Sequence, residues 1–187
     1  GVEFEEMRTR WCANDCVFCF VDQNPPNMRD SMYVRDGDYR LSYLYGHYIT
    51  MTNMGKNELN RIVEQRMSPL YISIHVTDIH LRQKLFLYKK DDGLLKKLQF
   101  LTENNIELHT QIVLMPNIND NKYLLGTLRD IHQFYPILKT CTIVPVGLTK
   151  YRKGLMDIQL VSDKYAKNML EQLPDLRREF PGNIAPF

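Results

Sequence analysis

The sequence has no apolar run approaching the length of a bilayer span; the longest, around Gln111–Pro116, is strand-sized. It also lacks a charge excess. Lys and Arg number 24 against 22 Asp and Glu, a net charge of +2. That balance gives no electrostatic footing for nucleic acid or for an anionic membrane. No signal-peptide pattern opens the chain, no segment repeats, and none is of low complexity. Cysteine is scarce, with four residues, and three of them fall within eight positions. A disulfide framework spreads its cysteines along a small secreted chain. Clustering without a secretion signal points instead to a reducing, cytoplasmic setting and to a metal or cluster site.

What is present is an ordinary globular composition, 44% apolar and 25% charged over 187 residues, enough for one domain with a real core. The chain starts at Gly1 on what reads as a strand, residues 2–11. The expectation is therefore a single domain, 1–187, trimmed at both ends. A polar stretch from Asp22 to about Arg40 follows, an ordered loop or short helix anchored by Tyr33, Tyr39 and Leu41. Strand and helix signals then alternate. His47–Thr52, Leu70–Val76, Ile106–Met115 and Thr140–Val146 read as strands. Helices are expected over Asn57–Met67, from Thr77 or Asp78 through Leu81 and Leu85, over Asp92–Asn104, from Asn119 or Asp120, and from Ser162.

Such alternation implies right-handed βαβ units on a parallel sheet of about five strands. A closed eight-unit barrel needs roughly 250 residues. The expected class is therefore α/β, an open partial barrel or a doubly wound sheet. In either, chemistry sits at the carboxyl ends of the strands.

Cys12, Cys16 and Cys19 have the spacing C-x3-C-x2-C and follow the first expected strand. Thiolates are the usual ligands of iron–sulfur clusters, and electron-transfer four-iron clusters generally have four of them. A loop supplying three leaves one iron open to a small molecule, as a catalytic zinc keeps an open position. The same residues can also be read as a zinc site completed by His75, His109 or Cys141, or as inert thiols. The fourth cysteine, Cys141, lies in a strand-like run and reads as a small core side chain.

The loop resembles that of the radical S-adenosylmethionine (SAM) superfamily, with an aromatic, Phe18, directly before the third cysteine. Longer blocks resemble one bacterial branch of that superfamily, iron–sulfur oxidoreductases of unassigned substrate. They are Cys16–Gln23, Asp38–Ser42, Tyr48–Asn53, Ser68–His75, Gln111–Pro116 and Val144–Arg152, and the likeness reaches about Lys167.

The resemblance implies a partial barrel carrying a [4Fe–4S] cluster on the three cysteines, with SAM chelating the open iron. It implies reductive cleavage of SAM to a 5′-deoxyadenosyl radical that abstracts hydrogen from a substrate. It further implies a reductant such as flavodoxin or ferredoxin, a PDZ-like domain before the loop and a domain of unknown function after the barrel strands. Phe18 corresponds to the aromatic packed near adenine. Many members place Gly-Gly-Glu after the second strand to hold the SAM amino group. Here that position reads Thr50-Met-Thr-Asn53, so Thr52 and Asn53 are the candidates. The branch's Pro-Gly is Pro116-Asn117 here, a change to a turn more than to a site.

Three further residues complete the candidate set for SAM or substrate. His75 ends a strand, and Ser73 shares its face. Gln111 places a polar side chain within an apolar strand, where it needs a partner, and the SAM ribose is one. A non-catalytic iron–sulfur electron-transfer module, or a zinc module, is the alternative to an enzyme.

Overall fold

The computed structural model describes residues 7–182. Three parallel strands form its sheet: β1 (Leu70–Ser73), β2 (Leu108–Leu114) and β3 (Leu138–Pro145), in the order β1-β2-β3. Six α-helices accompany them: α1 (Tyr39–Tyr45), α2 (Lys56–Glu64), α3 (Ile79–Phe86), α4 (Leu94–Glu103), α5 (Asn121–His132) and α6 (Asp163–Glu179). Each parallel step crosses through helix, as βαβ connections require. The architecture is the expected α/β one, an open partial barrel.

The alternation in β2 decides which face meets the helices. Leu108, Thr110, Ile112 and Leu114 are buried, whereas His109, Gln111 and Val113 are half-buried. The buried set packs with Leu94, Leu98 and Leu101 of α4 and Leu124, Leu128 and Ile131 of α5, spaced three and four apart on their helices. Cross-strand register builds the other face in rows. Tyr71, His109 and Thr140 form one row, and Ser73, Gln111 and Thr142 the next. Those two rows carry polar side chains, and the next, Val113 and Val144, is branched and apolar.

Two expectations need correction. The first concerns residues 2–11, of which 2–6 lie outside the described residues. Of the remainder only Trp11 pairs, in an antiparallel bridge to Asp36. The second concerns His47–Thr52, which forms a single parallel bridge, Ile49 to Ile72, rather than a strand. Gly46 at φ 72° ends α1 just before it, and Met51 at φ 58° breaks the extended run just after it. The five expected strands are thus three plus these bridges. The stretch expected as an ordered loop or short helix holds α1, which opens at Tyr39. Asp38 caps it, accepting from the Arg40 N–H at 3.0 Å. Elsewhere the helix starts match: Asp78 accepts from the Leu81 N–H at 2.8 Å, and Ser162 accepts from the Tyr165 N–H at 3.2 Å.

Arg82 of α3 ties the layers together at the carboxyl end of β1. It is 3% exposed, and its guanidinium donates to both oxygens of Asp92, to the Ile74 carbonyl and to the Thr50 carbonyl, while lying 4.4 Å over the Phe86 ring. A buried pair of this kind is weak evidence for net stability, but breaking it strands a charge. Asp92→Ala is therefore expected to lower the unfolding free energy by roughly 3–5 kcal/mol, measured by urea denaturation. Arg82→Met combined with Asp92→Leu should lose less than the sum of the two single changes. A strictly additive double variant would show that the two groups do not act as a pair.

Candidate functional site

The cysteine loop crosses the carboxyl ends of the strands because neighbouring backbone holds it there. Cys12 N–H donates to the Arg35 carbonyl at 2.8 Å, and Gly37 N–H donates to the Arg10 carbonyl at 3.1 Å. Asp15 and Val17 N–H groups donate to the last carbonyls of α3, Phe86 at 3.0 Å and Leu85 at 2.9 Å. These are carbonyls that a helix end leaves unpaired. Gln23, 2% exposed, closes the far side. Its amide donates to the Phe18 and Cys19 carbonyls and accepts from the Thr149 N–H beyond β3. Gly37 packs so tightly that an added Cβ would stand 2.7 Å from the Cys12 Cα, so a side chain there would displace the loop.

Cys12, Cys16 and Cys19 line one cavity of about 580 Å³ together with Phe18, Ser73, His75 and Gln111. The expected residues that do not join them are Thr52 and Asn53. At that point the wall is Thr50, whose hydroxyl lies 3.1 Å from that of Thr52. The Asn53 amide donates to the Trp11 and Gly37 carbonyls instead, at 2.8 and 3.3 Å. Asn53 thus braces the start of the cysteine loop, and Thr52 stands behind the wall. Cys141 is fully buried on the helix face, in register with Thr110, and burial pushes its thiol up to about 12. His109 is also elsewhere, stacked on Tyr71 at 5.0 Å with Nδ1 2.8 Å from the Thr140 hydroxyl.

His75 is held in one ring state. Its Nδ1 accepts the Val113 N–H at 3.0 Å, so a neutral ring carries its proton on Nε2. Burial, and then the nearby Arg82 charge, lower its pKa to about 3. Phe18 meets it edge-on at 4.7 Å. The backbone at His75 is left-handed, φ 61°, and Asn119 secures it by donating to the His75 and Val113 carbonyls, both at 2.9 Å.

The residues that sequence reasoning missed are mostly polar groups of the cysteine loop and the polar stretch. Asn14, 4% exposed, donates to the Thr50 hydroxyl at 2.8 Å, while its buried Oδ1 has no partner. Arg35 donates to Asp22, to Asp15 and to the Asn14 carbonyl, so its charge is compensated. Nothing in the one-dimensional pattern separates Arg35 from the solvated charges around it.

A model of the radical SAM-like domain matches residues 1–141. The chain belongs to that family. No curated protein sequence matches it. The fold is similar to that of SuiB from Streptococcus suis in its S-adenosylmethionine-bound structure: TM-score 0.65 at 12% identity, over 95% of this chain and 48% of that one. It is similar also to methylornithine synthase, with TM-score 0.57 at 16% identity over 93% and 61%. A further structure of SuiB gives 0.58 at 11% over 74% and 31%. The radical SAM-like chain thus spans from about a third to three-fifths of those structures. At such identities the likeness is one of fold.

The donor set is three thiols on one cavity, and thiolates are the usual ligands of iron–sulfur clusters. Among the described residues no three His, Cys, Asp or Glu side chains are gathered to hold one metal ion. Burial, and then the mutual repulsion of the three thiolates, push the Cys16 thiol far up; burial also raises Cys19. A bound metal reverses this by deprotonating its ligands. The unpartnered Asn14 oxygen in the same wall needs an N–H or O–H donor from whatever fills the cavity.

Access and thiolate fraction together set an order of thiol reactivity in the metal-free, reduced protein: Cys141 is out of the reagent's reach, and Cys16 is pushed further up than Cys19. With iodoacetamide at pH 8, Cys12 and Cys19 should be alkylated before Cys16, and Cys141 only on unfolding. Peptide mass mapping over a time course reads the order. Labelling of Cys141 before Cys16 would contradict the placement.

Proposed function

We propose that this domain is the cluster- and SAM-binding core of a radical SAM enzyme. The observation that carries the reading is the set of three loop thiols opening on one cavity while the fourth cysteine lies on the opposite face of the sheet. Cys12, Cys16 and Cys19 would hold a [4Fe–4S] cluster with one iron left for SAM. Phe18, Ser73, His75 and Gln111 would line the nucleoside part. The Asn14 oxygen would accept from the SAM amino group, and Thr52 and Asn53 would support that wall from behind through Thr50 and the loop start. With the cluster bound, its chemistry is reductive cleavage of SAM to methionine and a 5′-deoxyadenosyl radical, which takes hydrogen from the substrate.

The protein's own part is positional. Phe18 and His75 give SAM an apolar and a hydrogen-bonding contact on one side. The β1–β3 interior offers neutral polar groups, Ser73, Gln111 and Thr142. A reductant of the flavodoxin or ferredoxin type would supply electrons, and domains flanking this one, PDZ-like before it and a further one after it, would complete the substrate site. The reading covers residues 1–187 as one radical SAM core.

Anaerobic reconstitution tests it. Cys12→Ala, Cys16→Ala and Cys19→Ala should each abolish iron binding and 5′-deoxyadenosine formation. Cys141→Ala should keep both, at a stability cost of about 1 kcal/mol. Iron loss in Cys141→Ala as complete as in the loop variants would mean four protein thiolates, and an electron-transfer module would replace the enzyme. Stoichiometric zinc in a colourless protein would make it a zinc module.

A further inference from the structure

One pair of groups at the cavity is unused by SAM cleavage. His47 Nδ1 lies 2.7 Å from Asp36 Oδ2, and both residues line the cavity that the three cysteines open on. Neither partner is adrift. Asp36 bridges Trp11, the residue before Cys12, and its other oxygen accepts the Asp38 N–H at 2.8 Å. The neighbouring Gly37–Cys12 contact, too close for a side chain, fixes that stretch against the loop. His47 lies two residues before Ile49, which is bonded on both sides into β1: Ile49 N–H to the Tyr71 carbonyl and Ser73 N–H to the Ile49 carbonyl. The two halves of the pair are therefore set on separate, anchored segments.

Other charges do not compete for Asp36. Arg35 is taken by Asp15 and Asp22, and Arg40 by Asp38. With Nδ1 facing the carboxylate, Nε2 is the ring nitrogen left for the cavity, and the imidazole is exposed. A carboxylate that holds Nδ1–H and leaves Nε2 as a free lone pair is the arrangement of a general base and its orienting partner.

We propose that His47 and Asp36 form a proton-accepting dyad at the mouth of the cavity, acting on a substrate that bears an O–H or N–H group beside the carbon to be attacked. The inference rests on the radical SAM reading for that carbon's fate, but the dyad stands on its own geometry. In the step, the Nε2 lone pair forms an N–H bond with the substrate proton. The O–H or N–H bond breaks, and its electron pair stays on the substrate heteroatom. The imidazolium charge is balanced by Asp36, and no electron enters or leaves the protein. The anion so formed weakens the adjacent C–H bond. His47 is the catalytic residue, and Asp36 positions it.

The test uses the anaerobically purified, iron-loaded chain with ring-labelled histidine, and diethyl pyrocarbonate as the probe of free imidazole nitrogen. Long-range 15N–1H spectra at pH 8 should show His47 with its proton on Nδ1. Of the five histidines, His47 should be acylated several-fold faster than the exposed His80. Asp36→Ala should mix the tautomers and remove the rate advantage, whereas Asp36→Glu should restore both. A pair with no hold on the ring would move neither signal in Asp36→Ala. A proton on Nε2 in the unsubstituted protein, or a His47 rate equal to that of His80, overturns the dyad without recourse to any variant. Failure of the chain to load iron would count against the radical reading alone, because tautomer and acylation rate are still read.

Discussion

The guanidinium of Arg82 reaches three segments at once: Asp92 ahead of α4, the Ile74 carbonyl at the end of β1, and the Thr50 carbonyl beside the cavity. Part of the cavity wall is held from that point. The last carbonyls of α3, one turn on from Arg82, receive the Asp15 and Val17 N–H groups and so suspend the cysteine loop. Thr50 accepts from Asn14, and Phe86, beneath the guanidinium, meets the His75 ring at 5.7 Å. Charge pairing at such depth gains little net stability. Its consequence here is geometric, since a helix end, a strand end and a loop cannot shift independently.

The fold was legible where sequence pattern and packing agree. Leu94, Leu98 and Leu101 at helical spacing report a helix face directly, and the apolar run of Ile106–Met115 reports a strand, whose two faces separate only in the burial of the folded chain. Asp78 and Ser162 mark helix starts because their side chains satisfy N–H groups that the helix cannot. His47–Thr52 misled because composition reports β-propensity and not pairing. Left-handed conformations at Gly46 and Met51, set by tertiary packing, cut that run to a single bridge. The stretch that holds the helix at Tyr39 reads equally as loop or short helix, because its anchors, Asp38 with Arg10 and Arg40, come together only in three dimensions.

The site divides in the same way. Cys12, Cys16 and Cys19 declare themselves by spacing, Ser73 and Gln111 by lying on one side of neighbouring strands, and His75 by following the carboxyl end of β1. Thr52 and Asn53 were placed by analogy of position, yet the chain turns at Met51, so Thr50 reaches the wall and they do not. Asn14, Arg35, Asp36 and His47 carry no signal of their own, because what distinguishes them is a partner 11 to 36 residues away. The polar interior is also a product of register. Rows such as Ser73, Gln111 and Thr142 exist only once β1, β2 and β3 are aligned.

The central claim is that three loop thiolates hold an iron–sulfur cluster and leave one iron to SAM. Mössbauer spectroscopy of the 57Fe-reconstituted protein, with and without SAM, tests it most directly. The account predicts four irons per chain, with one subsite whose isomer shift and quadrupole splitting change on adding SAM while the other three stay as they were. Four irons that are all indifferent to SAM would contradict it.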